Sequence, residues 1–185
     1  RLTAPASSDW FNDPLSDARH SSAPALVFTP SGDFQLGARV AVTFRKAFDA
    51  GVLFVHRTND DYAKLCFEHS PDAEPMVVSV VTRDVSDDCN GAIVEGSEVW
   101  LRSLGAIVEG SEVWLRMSRI GSTFAFHSSI VGASWTMIRI FQLRSGPGSV
   151  SVGFLDLSPT CESCDVRFAD IRLSETTLVD ARDGT

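Results

Sequence analysis

From Phe34 to the C-terminal tail, apolar and polar residues alternate with a period of two, and no stretch sustains a helical period. Nine segments carry the alternation: 34–44, 51–57, 62–69, 76–83, 111–119, 123–129, 135–142, 150–157 and 164–174. They are rich in Val, Ile, Phe and Thr, residue types that suit a pleated, half-buried surface. Turn formers separate them, among them Thr58-Asn59-Asp60-Asp61, Ser70-Pro71-Asp72, Ile120-Gly121-Ser122 and Ser145-Gly146-Pro147-Gly148. Short strands at this spacing, with no helices between them, predict an all-β antiparallel sandwich or barrel.

Alternation also assigns faces. Ala63, Leu65 and Phe67 point one way, and Tyr62, Lys64, Cys66 and Glu68 the other. Val113, Leu115 and Met117 oppose Glu112, Trp114, Arg116 and Ser118, while Phe124 and Phe126 oppose Ala125 and His127. One apolar face per strand is what a core between two sheets requires. The second face mixes aromatic and charged residues, as a solvated surface or a groove lining does.

The ends differ from this pattern. Residues 1–33 carry Pro5, Pro14, Pro24 and Pro30 among many Ser and Asp, and read as a loop-rich arm pinned to the body by Trp10 and Phe11. Residues 34–175 form the sandwich domain, and 176–185 a polar tail expected to fray.

The segment Gly91–Arg102 returns letter for letter at Gly105–Arg116, offset by fourteen. Old repeats drift, so a perfect copy marks a recent duplication or an engineered insertion. The offset is even, so either copy can enter a sheet with Val and Leu toward the core. Alternation continues past Arg116 to Arg119 but stops after Arg102, which predicts the second copy as the native strand and the first as displaced. Residues 84–110 then form a long connection, in which Val99, Trp100 and Leu101 seek cover at a sheet edge or in a homo-oligomer.

A net charge of −8 argues against nucleic-acid and anionic-membrane partners. The chain contains no apolar run of membrane-spanning length, about 18 residues or more. A signal-peptide pattern is not read at its start. Cys161-Glu162-Ser163-Cys164 has the C-x-x-C form, but no second pair or H-x-x-x-H completes a zinc site. It falls in a turn between strands and reads as a loop with free thiols, so no metal or cofactor is expected.

Ordered motifs carry a family resemblance. Gly51-Val52-Leu53-Phe54-Val55-His56-Arg57, Tyr62-Ala63-Lys64-Leu65-Cys66-Phe67-Glu68 and Ser79-Val80-Val81-Thr82-Arg83 are followed by Ser86-Asp87. Val113-Trp114-Leu115-Arg116-Met117-Ser118-Arg119, Trp135 and Val152-Gly153-Phe154 come after them. The chain resembles, over about residues 2–173 and apart from the duplication, a family of concanavalin A-like sandwiches that includes a fungal protein named for regulation of enolase. The resemblance implies a jelly-roll of two antiparallel sheets, one concave, and a cytoplasmic location. The chain departs from the family where Ser129-Ile130-Val131-Gly132 replaces Ser-x-Asp-Gly ahead of Trp135.

A retaining glycosidase places two carboxylates about 5–5.5 Å apart, on one strand in an E-x-D-x-E pattern, and none occurs here. Glu95 and Glu98 are separated by a glycine turn, and Glu68 is a lone strand carboxylate. Lys64 and Glu68, roughly 13 Å apart on one face, are each expected to pair across strands. His56, His69 and His127 share no metal spacing, and G-x-S-x-G is missing. No catalytic or metal residues are assigned. The candidate ligand-binding residues, placed on the concave face, are Tyr62, Lys64, Glu68, Arg83, Trp114, Arg116 and His127. Aromatic rings for a sugar's apolar face beside planar hydrogen-bonding groups make carbohydrate the first expected ligand. A protein-interaction or regulatory module, acting on a metabolic enzyme for example, is the alternative, and a glycoside-active enzyme ranks third.

Overall fold

The computed structural model describes residues 1–94, 112–144 and 149–185. Among these residues the strands, in chain order, are β1 (Leu2–Pro5), β2 (Trp10–Asn12), β3 (Arg19–Ser21), β4 (Ala25–Phe28), β5 (Phe34–Thr43), β6 (Ala50–Thr58) and β7 (Asp61–His69). They continue as β8 (Pro75–Arg83), β9 (Val85–Ile93), β10 (Glu112–Ile120), β11 (Thr123–Ser129), β12 (Thr136–Gln142), β13 (Ser151–Leu157) and β14 (Ser163–Ser174). Sheet I runs β1-β14-β5-β10-β11-β12, and sheet II runs β4-β13-β6-β7-β8-β9; β2 and β3 form a hairpin of their own. Every pairing is antiparallel. The described sheets are open, with no closed propeller, and form an all-β jelly-roll sandwich.

The core lies where alternation predicts. Leu36, Ala38, Val40 and Val42 of β5 meet Leu53 and Val55 of β6 and Ala63, Leu65 and Phe67 of β7, with Val113, Leu115, Met117, Phe124 and Phe126 behind them. Gly51 stands where the two sheets meet closely, and an added Cβ would come within 2.6 Å of Val40 and Val166 methyls.

Three expectations about the ends and the connection are corrected. The arm is not merely loop-rich: β1 pairs with β14 and β4 with β13, giving each sheet an edge strand. Residues 84–94 are not connection, because β9 closes the other edge of sheet II against β8. The tail does not splay away, since Leu178 and Gly184 are buried and Thr177 donates to the Arg119 carbonyl at 3.0 Å.

The second copy of the duplication supplies the strand between β5 and β11: Glu112 to Arg116 pair with Ala41 to Gly37. Gly91 to Ile93 of the first copy end β9. Glu95, Glu98, Val99, Trp100 and Leu101, like the turn at 145–148, lie outside the described residues.

Candidate functional site

The outer faces of the two sheets divide six of the seven expected site residues, so they do not form one concave site. Tyr62, Lys64 and Glu68 lie on the outer face of sheet II, whereas Trp114, Arg116 and His127 lie on the outer face of sheet I. Arg83 is exposed at the end of β8, opposite Asp61 and out of phase with Tyr62 and Lys64.

The face holding Tyr62 and Lys64 is closed. Ser22 and Ala23 donate backbone hydrogen bonds to the Asp9 carbonyl, and the β2–β3 hairpin lies over β6, β7 and β8. Trp10 packs on Phe54, His56 and Tyr62 with ring centroids 5.0, 5.2 and 5.4 Å away. Its indole N–H donates to the Ala23 carbonyl at 2.8 Å. Tyr62 is 0% exposed and Lys64 3%. The Lys64 ammonium meets Asp9 at 3.3 Å, so its partner comes from the arm and not from a neighbouring strand. Burial and partner together make this face a second core.

Glu68, half-buried beside this cluster, has its pKa pushed up to about 7 by desolvation, against the pull of Lys64 and with help from Asp9 and Asp88. Asp156 is buried near β1, accepts from the Ala4 amide at 2.9 Å, and is likewise raised to about 7 by desolvation. Both carboxyls hold a proton more tightly in the folded chain than in the unfolded one, where 4.5 and 3.8 are the ordinary values. Their contribution to stability therefore falls as pH rises through that window toward 7. Desolvation lowers the pKa of His127, which adds the opposite slope below 6.5, so a double substitution is needed to isolate the acids. The thermal midpoint of Glu68→Gln/Asp156→Asn should gain on that of the native chain between pH 5 and pH 7.5. Parallel midpoints across that range would refute the assignment.

Sheet I presents the open surface. Register sets its outer side chains in rows: Gly37 of β5 pairs with Arg172 of β14 on one side and Arg116 of β10 on the other. Arg116 in turn pairs with His127 of β11. With strands about 4.8 Å apart, the Cα atoms of the two arginines stand roughly 9.6 Å apart across a floor with no side chain. One adjacent row carries Ser174, Gln35 and Ser118; the other carries Arg39, Trp114 and Ser129. Trp135, just ahead of β12, closes over Arg116. Gln35, Gly37, Trp114 and Arg116, with Gly132, Trp135, Arg172 and Ser174, line a cleft of about 210 Å³.

Each indole in this cleft already holds a guanidinium. Arg116 lies 4.2 Å from the Trp135 ring centroid and Arg172 5.8 Å from that of Trp114. Gly132, at φ 73°, closes on Trp114 so tightly that a Cβ would fall 2.7 Å from the ring. The turn Ser129-Ile130-Val131-Gly132 is held by the Gly132 amide donating to Ser129 Oγ at 2.8 Å. The rings are thus not bare stacking platforms; they fix the planes of two cations.

The tail completes one end. Arg116 Nη2 donates to the Gly184 carbonyl at 2.7 Å, and His127 Nε2 meets the Ala181 carbonyl at 2.8 Å. A carbonyl only accepts, so Nε2 carries the imidazole proton. Desolvation lowers the Arg116 pKa to about 10. Its Nε is buried without a hydrogen-bond partner.

Sequence reasoning missed Gln35, Gly37, Gly132, Trp135, Arg172 and Ser174 as site residues. Alternation in β5 does put Gln35, Gly37 and Arg39 on the polar face, but only strand order shows that β5 lies beside β10. Among the described residues, no group of His, Cys, Asp and Glu is placed to hold a metal ion, and no helix is long and apolar enough to cross a membrane.

The fold is similar to that of a functionally unknown protein from Saccharomyces cerevisiae, with TM-score 0.79 and 19% identity over 95% of this chain and 86% of that one. It is also similar to a xylan beta-1,4-xylosidase from Bacillus halodurans C-125, at TM-score 0.59 and 14% identity over 83% of this chain and 30% of that one. An alginate lyase from Klebsiella pneumoniae matches at TM-score 0.55 and 14% identity, over 93% of this chain and 66% of the lyase. These likenesses are of fold, shared with proteins named for action on sugars, and the chain spans under a third of the xylosidase. No curated protein sequence matches. A family model described as protein of unknown function, DUF1349, matches residues 1–176, and the chain belongs to that family.

Proposed function

We propose that the chain is a non-catalytic ligand-binding domain whose site is the sheet I cleft, and that its ligand is a carbohydrate. The observation that carries this reading is the lining itself: Trp114 and Trp135 beside Arg116, Arg172, Gln35 and Ser174. Saccharide recognition relies on planar hydrogen-bonding groups held in fixed orientation, and the two indole-stacked guanidiniums with the Gln35 amide and the Ser174 hydroxyl supply such groups. The cleft is smaller than the roughly 300–1,000 Å³ of pockets that enclose drug-sized molecules, so it suits one ring of a chain held at the surface. The cytoplasmic location implied by the family resemblance belongs to this proposal.

A glycan array followed by calorimetry tests the reading. At least one glycan class should bind, and Gly37→Val should weaken it more than about tenfold, a loss of about 1.4 kcal/mol. A Cβ at Gly37 meets nothing nearer than 3.6 Å, so a side chain can start there without a clash and rise into the cleft floor. Silence across the array at high protein concentration would end the proposal.

A second reading, a protein-interaction module, draws on a different observation. Edge strand β4 presents Leu26, Val27 and Phe28, with Leu26 64% exposed, and an apolar edge of this kind suits strand addition by a partner.

A further inference from the structure

We infer that the ligand is an anionic saccharide, a uronate-containing glycan whose carboxylate sits over Gly37 between Arg172 and Arg116; this rests on the cleft being a carbohydrate site. The first support is unspent charge. Arg19, Arg39, Arg139 and Arg144 each meet an aspartate or glutamate, in a chain with net charge −8. Arg39 is one step along β5 from the cleft floor and engages Glu112 and Asp170 together. Arg116 and Arg172, like Arg83, Arg119, Arg167 and Arg182, meet no carboxylate among the described residues, but these two alone line one cleft together. The residues lining the cleft include no Asp or Glu.

Burial is the second support. Arg116 is only 9% exposed, and Nε finds no acceptor, while Nη2 uses the Gly184 carbonyl. Keeping a guanidinium in such a place costs free energy unless an anion faces it. Geometry is the third. The indoles of Trp135 and Trp114 hold the two guanidiniums, and the missing side chain at Gly37 leaves a trough between them. Planar carboxylates are the natural complement of a planar fork of donors. Gln35 and Ser174, in the next row, offer the amide and hydroxyl that ring hydroxyls use.

The test compares a galacturonate trimer with its fully methyl-esterified form, which keeps the sugar and removes the charge, by calorimetry against the full chain. Inorganic phosphate serves as a competing anion. The acid should bind at least about tenfold more tightly than the ester, an advantage of about 1.4 kcal/mol. Added salt should shrink that advantage, and Arg172→Met, at an exposed position, should reduce it to less than about threefold, or 0.7 kcal/mol. Equal affinity for acid and ester would overturn the anionic assignment while leaving the carbohydrate site standing. Phosphate binding more tightly than the trimer, and displacing it, would overturn the saccharide assignment. Binding of neither trimer, with glycan arrays also silent, would remove both the inference and the reading beneath it.

Discussion

Asp9→Asn should lower the free energy of unfolding by about 3 kcal/mol, the usual cost of removing one partner from a buried ion pair. The Lys64 side chain is 4% exposed and that of Asp9 21%, so the two partners are not equivalent. Burial alone would pull the Lys64 pKa down; the carboxylates, Asp9 foremost and Glu68 after it, hold it above the ordinary value. With the Asp9 charge gone, Lys64 must keep a poorly compensated charge or give up its proton. Removing Lys64 instead leaves Asp9 where water reaches it, so Lys64→Met should cost less. The double substitution Asp9→Asn/Lys64→Met should recover most of the loss. In a chain of this size, 3 kcal/mol corresponds to a midpoint fall of roughly 6–12 °C. Additive losses in the double variant, measured by urea unfolding, would show that the pair does not stabilise the hairpin over sheet II.

Gly51→Ala should destabilise by about 1–3 kcal/mol, the cost of one extra methyl in a full core. The new Cβ would come within 2.6 Å of γ-methyls on Val40 and Val166, and within 3.2 Å of Val42. β-branched side chains are stiff at χ1, so these methyls cannot swing away singly. The sheets must part locally or β6 must shift. Val166 and Val40 lie on β14 and β5, so the disturbance should reach the cleft floor at Gly37 from beneath. An unchanged thermal midpoint would mean that the sheets are less tightly apposed at Gly51 than described.

Alternation made the fold legible. All nine strands read from periodicity are present, each with bounds within about two residues, because each has one face against the core and its burial enforces the period. β9 escaped notice because Val85-Ser86-Asp87-Asp88-Cys89-Asn90 is polar on both faces, as suits a sheet edge. β1 to β4 escaped because three or four residues are too few to show a period.

The site was half legible, for two separate reasons. Trp114 and Arg116 were placed on the face of the cleft because β10 alternates cleanly, whereas His127, expected beside them, is buried beneath the tail and lines no part of the cleft. Tyr62, Lys64 and Glu68 showed the same mixed pattern, yet the arm covers them, and nothing in the local sequence of β7 distinguishes a groove from a second core. Arg172 and Ser174 were hidden by a bulge. Between Ala169 and Arg172, β14 advances three residues while β5 advances two, from Arg39 to Gly37. The extra residue reverses parity, so strict alternation from Val166 would have turned Arg172 toward the interior. Asp170, at φ 50°, sits within the bulge and accepts from Arg39.

The tail's contact with this surface changes what counts as the domain. The family match stops at residue 176, but hydrogen bonding to the site continues to Gly184. A chain cut at the family boundary would keep every strand and lose the Ala181 and Gly184 carbonyls that His127 and Arg116 use. Arg116 Nη2 would then turn to water in place of the Gly184 carbonyl, and Trp135 would have one neighbour fewer. Affinities measured on such a truncated chain would describe a more open and more strongly cationic surface than the one the intact chain presents.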